Sequence, residues 1–133
     1  MTNSKKRIDK WFGFIILIGM KLGIIGSRTF EDLEKAKKVF NSMLKKYTKT
    51  IVSGGAIGAD QIGAIIAAEN DIEYLEHRPD WKKHGKKAGF VRNELIINDS
   101  DIILAFWDGK SKGTANSLNH AKKQKKPCII VYF

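Results

Sequence analysis

From Met20 onward, short apolar runs rich in β-branched residues alternate with longer stretches whose apolar positions recur every three or four residues. That alternation predicts parallel strands joined by helices, an α/β domain of the Rossmann-like three-layer kind. Residues 21–25 read as the first strand. Thr29-Phe30-Glu31-Asp32 then has the form of a capping box, opening a helix with Leu33, Ala36, Phe40, Met43, Leu44 and Tyr47 on its apolar face. Residues 50–53 read as a second strand. The helix over 59–70 that follows is apolar on nearly every side, which predicts broad burial. A third strand over 71–76 leads through a polar connection, 78–87, into a helix over about 88–97. Residues 101–106 form a fourth strand, 113–123 a fourth helix, and 127–133 a closing strand rich in Ile, Val and Tyr.

Ahead of this pattern, Lys5, Lys6, Arg7 and Lys10 precede an apolar run over 11–20, the order of a secretory signal. Lys21 interrupts the run, and no small-x-small cleavage site follows. Cutting near Gly26 would destroy the first strand. The run is also short of the roughly 20 apolar residues that span a bilayer, so no membrane partner is expected. The expected organisation is an N-terminal extension over 1–19, with Met20 as initiator, and one domain over 20–133.

A chain of 133 residues with 43% hydrophobic content suits a single core. Lys and Arg number 24 against 14 Asp and Glu, a formal charge of +10, which favours anionic partners such as phosphorylated ligands, nucleic acid or acidic lipid. Cys128 is the single cysteine, which excludes an intrachain disulfide and a multi-cysteine metal site. A reducing, cytoplasmic setting is expected, with Cys128 as a small core residue.

In a doubly wound sheet, ligands bind at the carboxyl ends of the strands, where the strand order reverses. Three loops here converge on that edge: Gly26-Ser27-Arg28, the segment from Ser53 through Gly54, Gly55 and Gly58 to Asp60, and the segment 107–114. Glycines let backbone approach an anion, and helix N-termini favour phosphate. Ser27, Ser53, Ser111 and Thr114 add hydroxyl donors. The alternative for each loop is plain turn chemistry. Neither Gly-x-Gly-x-x-Gly after the first strand nor a complete Walker motif is present, since Leu104 occupies the earlier Walker glycine's place, which argues against a P-loop NTPase.

Asp60, in the first turn of its helix, is read either as a dipole cap or as a ligand contact. Arg92 and Asn93 reach the same crevice from the helix before the fourth strand, Arg being suited to bidentate phosphate binding, or else lie on a solvated face. Asp80 and Trp81 are read as a base clamp or as an anchor. His77, His84 and His120 lack ligand spacing, so no metal site is expected. Lys122, Lys123, Lys125 and Lys126 are read as the exposed end of the fourth helix, with a nucleic-acid patch as the alternative.

Taken in order, Gly26-Ser27-Arg28 with Phe30 and Asp32, Ser53-Gly54-Gly55-Ala56 with Gly58-Ala59-Asp60, Asp80-Trp81, Gly85-Lys86-Lys87-Ala88-Gly89, Arg92-Asn93, and Ser111-x-Gly113-Thr114 resemble the YspA/YpsA-related branch of the SLOG superfamily. The resemblance runs from about Lys21 to the C-terminus. It implies a sheet of order 3-2-1-4-5, binding of nucleotides or nucleotide-derived ligands, and relatives in bacterial and phage defence or stress systems that commonly form homo-oligomers. Among the superfamily's LOG phosphoribohydrolases, catalysis uses an Arg similar in placement to Arg92 and a Glu three residues after a Gly-Thr pair. That Glu is Ser117 here, which argues against the LOG reaction, since its oxocarbenium-like transition state needs a carboxylate.

The expectation is therefore a nucleotide-binding sensor or sequestering protein without a cofactor. Gly26, Ser27, Arg28, Gly54, Gly55, Gly113 and Thr114 would surround phosphate and sugar, and Arg92 would balance the charge. The alternatives are a nucleotide-processing enzyme using Asp60 and Arg92, and DprA-like nucleic-acid binding through Lys and Arg contacts to phosphate.

Overall fold

The computed structural model describes residues 19–55 and 58–133, with the side chain of Asp60 outside that description. Its elements run β1 (Met20–Gly26), α1 (Leu33–Val39, continued by a π-helical turn, Phe40–Leu44), β2 (Thr48–Ser53), α2 (Ala59–Glu69), β3 (Glu73–Glu76), a short α3 (Trp81–His84) with a 3-10 turn (Gly85–Lys87), α4 (Ala88–Asp99), β4 (Ile102–Trp107), α5 (Lys112–Lys123) and β5 (Cys128–Tyr132). The five strands pair in parallel in the order β3-β2-β1-β4-β5. This is the predicted Rossmann-like sheet.

Alternate side chains of each strand supply the two cores. Leu22, Ile24, Ile51, Ile102, Leu104 and Phe106 pack with α1 and α2 on one face. Ile25, Val52, Ile103 and Ala105 pack with Ile96 and Ile97 of α4 and Ala121 of α5 on the other. Continuous apolar runs in β1, β2 and β4 follow from burial on both sides. Both cores end at the carboxyl edge, where β1 and β4 lie side by side and their following loops diverge.

Several local expectations are corrected. The capping box at Thr29 does not form: Asp32 is the N-cap of α1, its carboxylate accepting the Lys35 amide at 3.0 Å. Residues 27–30 instead fold inward, with the Phe30 amide donating to the Ser27 carbonyl at 3.1 Å and the Phe30 ring stacked on Phe106 at 4.3 Å. Burying that ring outweighs one extra helical turn. Met43 leaves the apolar face and is 51% exposed. In the π turn the Lys45 amide bonds to the carbonyl of Phe40, five residues back, which keeps Phe40 and Leu44 buried and turns Met43 outward. Helix α2 is buried on one side only: Ile62, Ile66 and Ala67 pack inward while Ile65 is 37% exposed.

The connection after β3 is more ordered than its composition suggests, because the Asp80 carboxylate caps α3 by accepting the Lys83 amide at 3.1 Å. Lys126 is not merely the exposed end of α5. Its ammonium donates to the carbonyls of Ile97 and Asn98 at 2.5 and 3.0 Å, capping the neighbouring α4, and partial burial holds its pKa below the usual lysine value. Cys128 is partly buried against the second core. No described helix is long and apolar enough to cross a membrane. The extension over 1–18 lies outside the described residues.

Candidate functional site

Strand order reverses at β1, since the chain leaves it toward β2 on one side and returns to pair with it through β4 on the other. A cavity of about 390 Å³ opens there, at the carboxyl ends of these two strands, within the size range of small-molecule sites. The loop after β1 gives it Gly26, Ser27, Arg28 and Thr29; α4 gives Arg92 and Asn93; the β4–α5 connection and first turns of α5 give Asp108, Ser111, Gly113, Thr114 and Ser117.

The loop after β1 is fixed by backbone contacts that exclude larger side chains. A Cβ on Gly26 would lie 2.3 Å from the Phe106 carbonyl oxygen. Gly58, with φ +85°, brings the second loop against the first, and a Cβ there would meet the carbonyl oxygens of Ser27 and Arg28 at 2.8 and 2.7 Å. The Ser27 amide donates to Phe106 O at 2.9 Å, and its hydroxyl accepts the Asp108 amide at 3.2 Å. Ser27 thus ties the loop after β1 to the loop after β4.

Asp108 organises the second of these loops. Its carboxylate accepts the Ser111 and Lys110 amides at 2.8 and 2.9 Å, which holds its pKa below the usual carboxylate range. The Trp107 indole donates to Ser111 O at 3.1 Å. Together they deliver Ser111 to the N-cap of α5, where its hydroxyl caps no amide and lies 3.4 Å from the Thr114 hydroxyl. The first turn of α5 therefore borders the cavity with no side chain among the described residues satisfying its N–H groups, which suits an anion.

Two cations face this end. Arg28 and Arg92 both line the cavity, and Arg92 is positioned by bonds from Nε to Asn93 Oδ1 at 2.8 Å and from Nη1 to Gly54 O at 3.1 Å. These use two of the five guanidinium N–H groups. Ser117, at the position where LOG enzymes are expected to carry Glu, is 3% exposed as a residue and lines the cavity. Its hydroxyl has no hydrogen-bond partner among the described residues and, since no buried polar side-chain atom among them lacks one, it opens to the cavity.

The structure thus brings together Gly26, Ser27, Arg28, Arg92, Asn93, Ser111, Gly113 and Thr114. Gly54 is joined to them through Arg92. Gly55 packs against Glu76, and the Ser53 hydroxyl is buried, donating to Ile24 O at 3.0 Å. Asp80 and Trp81 do not line the cavity: Asp80 caps α3, and Trp81 is 59% exposed. The side chain of Asp60 lies outside the described residues. Sequence reasoning missed Asp108 and Thr29, and treated Ser117 only as a lost carboxylate. The signal for Asp108 was present, since Asp three residues before Ser111, with Gly109 between, is an Asx-turn pattern at a helix start. Among the described residues no group of His, Cys, Asp and Glu could hold a metal ion.

Residues 20–84 match the model of the YspA, cpYpsA-related SLOG family. Over 114 residues the chain is 37% identical to the Gene 61 protein of Mycobacterium phage D29, covering 80% of this chain and 91% of that one. The chain belongs to this SLOG family. A shorter match, 38% over 61 residues, is to the SPbeta prophage-derived protein YoqJ of Bacillus subtilis strain 168, covering 41% of this chain and 36% of that protein. The SLOG fold is also that of DNA processing protein A (DprA). The Streptococcus pneumoniae structure superposes with a TM-score of 0.71 at 17% identity, covering 86% of this chain and 51% of that one. The Helicobacter pylori protein, a single-stranded DNA binder, superposes with a TM-score of 0.65 at 24% identity, covering 87% and 66%. The chain thus spans between half and two thirds of the DprA chains it matches.

Proposed function

We propose that the chain binds a nucleotide or nucleotide-derived ligand in the β1/β4 cavity, taking its phosphate at the N-terminus of α5 and its sugar hydroxyls among Ser27, Asn93 and Ser117. The observation that carries this reading is the uncapped first turn of α5 sharing one cavity with Arg28 and Arg92. Two cations and a helix dipole converge on the same volume, where an anion is favoured. The Ser117 hydroxyl, which lines the cavity with no hydrogen-bond partner among the described residues, supports a polar ligand as a free donor and acceptor.

The described walls of the cavity support binding without turnover. Asp108 is the one carboxylate among the described residues lining the cavity, and it is engaged by two amides. Following what the family resemblance implies, the proposed role is that of a sensor or sequestering protein in defence or stress signalling, in the cytoplasm and as a homo-oligomer. A thermal-shift screen against nucleoside mono- and diphosphates, ADP-ribose, NAD and cyclic nucleotides, with chromatography of each hit, tests it. Stabilisation without product, lost in Arg92→Ala, is expected. Product formation depending on Asp60 moves the reading to a nucleotide-processing enzyme.

A second reading rests on a different surface. Trp81 and Phe90 are 59% and 52% exposed among Lys82, Lys83, Lys86 and Lys87, close in sequence to the start of α4. Exposed aromatics among lysines suit single-stranded nucleic acid. Binding of an oligothymidylate that falls steeply with salt and is lost in Trp81→Ala favours it.

A further inference from the structure

Among the described residues, nothing covers one face of the sheet at its β5 edge. Strand β5 turns Ile129 and Val131 toward the core shared with α1 and α2. Its opposite face carries Cys128, Ile130 and Tyr132, with Ile130 and Tyr132 37% and 60% exposed and Trp107 of β4 5.7 Å from Tyr132. Helix α5 is the last helix over this face, and no described helix follows it. It buries Thr114, Ser117 and Ala121. The stripe beside them, Ala115, Leu118, Asn119 and Lys122, forms one wall of a groove of about 500 Å³, with Trp107, Cys128 and Ile130 in its apolar lining. Those helix positions are spaced i, i+3, i+4, i+7, the ridge against which a second helix packs.

The charged residues lining the groove are Lys122, Lys125 and Lys126, with no carboxylate beside them. Lys126 is committed to α4, whereas Lys122 and Lys125 have no ion-pair partner among the described residues. A second copy of this chain, itself at +10, would bring the same lysines to a symmetric contact. We infer that this groove docks an acidic amphipathic helix of a partner protein, its apolar stripe on Leu118 and Ile130 and its carboxylates toward Lys122 and Lys125. The partner helix would complete the helical layer over β5. The surface is distinct from the nucleotide cavity.

The probe is a fluorescein-labelled synthetic helix with one Leu stripe flanked by Glu, compared by anisotropy with the same peptide carrying Lys for Glu. The acidic peptide is expected to bind the full chain and the basic one not to. Lys122→Glu with Lys125→Glu should weaken binding about tenfold or more, from loss and reversal of two surface ion pairs, and Ile130→Ser should weaken it without relying on charge. Equal binding of both peptides, or affinity unchanged in both variants, overturns the inference. So does a dimer in sedimentation that Ile130→Ser converts to monomer, which would assign the groove to a second copy.

Discussion

Arg92 of α4 holds the carbonyl of Gly54, 38 residues earlier, through its Nη1 at 3.1 Å, while its Nε is anchored on Asn93. One side chain thereby links the β2 loop, whose described residues do not themselves line the cavity, to the wall where a phosphate is proposed to sit. Replacing it affects both tasks, and the replacements separate them. Arg92→Ala should weaken nucleotide binding by about tenfold to a hundredfold, from loss of a charged hydrogen bond of ~1.5–3 kcal/mol. Arg92→Lys keeps the charge without the planar fork and should recover only part. Calorimetric titration, with the melting temperature of each free variant, gives the two effects separately.

Ser117→Ala should leave the free protein as stable as before, because its hydroxyl, open to the cavity, has no hydrogen-bond partner among the described residues to lose. Ligand affinity should fall about fivefold, from one neutral hydrogen bond of ~1 kcal/mol. Ser27→Ala differs, since its hydroxyl accepts the Asp108 amide. It should lower stability even without ligand, and thermal melts of the two alanine variants provide the comparison.

Asp108 makes the loop after β4 sensitive to acid. Its folded-state pKa is depressed by the Ser111 and Lys110 amides, so its contribution is present above the unfolded value of about 3.9 and disappears as pH falls through the lower folded value. Asp108→Asn should therefore lower the melting temperature by a constant amount between about pH 5 and 7, and the gap to the wild type should narrow as the pH falls below the usual carboxylate range. A gap independent of pH would assign the loss to geometry rather than charge.

Lys126→Met removes the cap on α4 but preserves the apolar stem. The carbonyls of Ile97 and Asn98 lose their donor, at a cost of about 1 kcal/mol, and α4 should fray at its C-terminal end. Hydrogen exchange should then accelerate at the amides of residues 97–100 while those of β1 stay protected.

Much of this was legible in the sequence, because β1, β2 and β4 are apolar on both faces and their following loops carry Gly and Ser. Sheet order followed from the resemblance, which the strand pairing bears out. Residues 27–30 were misread because local capping chemistry pointed to a helix start at Thr29, while the stacking of Phe30 on Phe106, 76 positions away, decided the loop's path. Lys126 was misread for the same reason: its acceptors are on another helix. Met43 turned outward through a single π turn, which periodicity at 3.6 residues cannot register. Arg92, Ser111 and Thr114 line the cavity at the strand ends as the sequence suggests, because their placement depends on strand ends and helix starts, the features a sequence marks most clearly.

The central claim is that the N-terminus of α5 and the loop after β1 receive a nucleotide phosphate. Backbone amide shifts of the 15N-labelled chain, followed during titration with the nucleotide that most raises its melting temperature, test it directly. The account predicts saturable shifts at Ser27, Arg28, Gly113 and Thr114, absent in Arg92→Ala. Shifts confined to residues 81–90, or no saturable shift with any nucleotide of the panel, would contradict it.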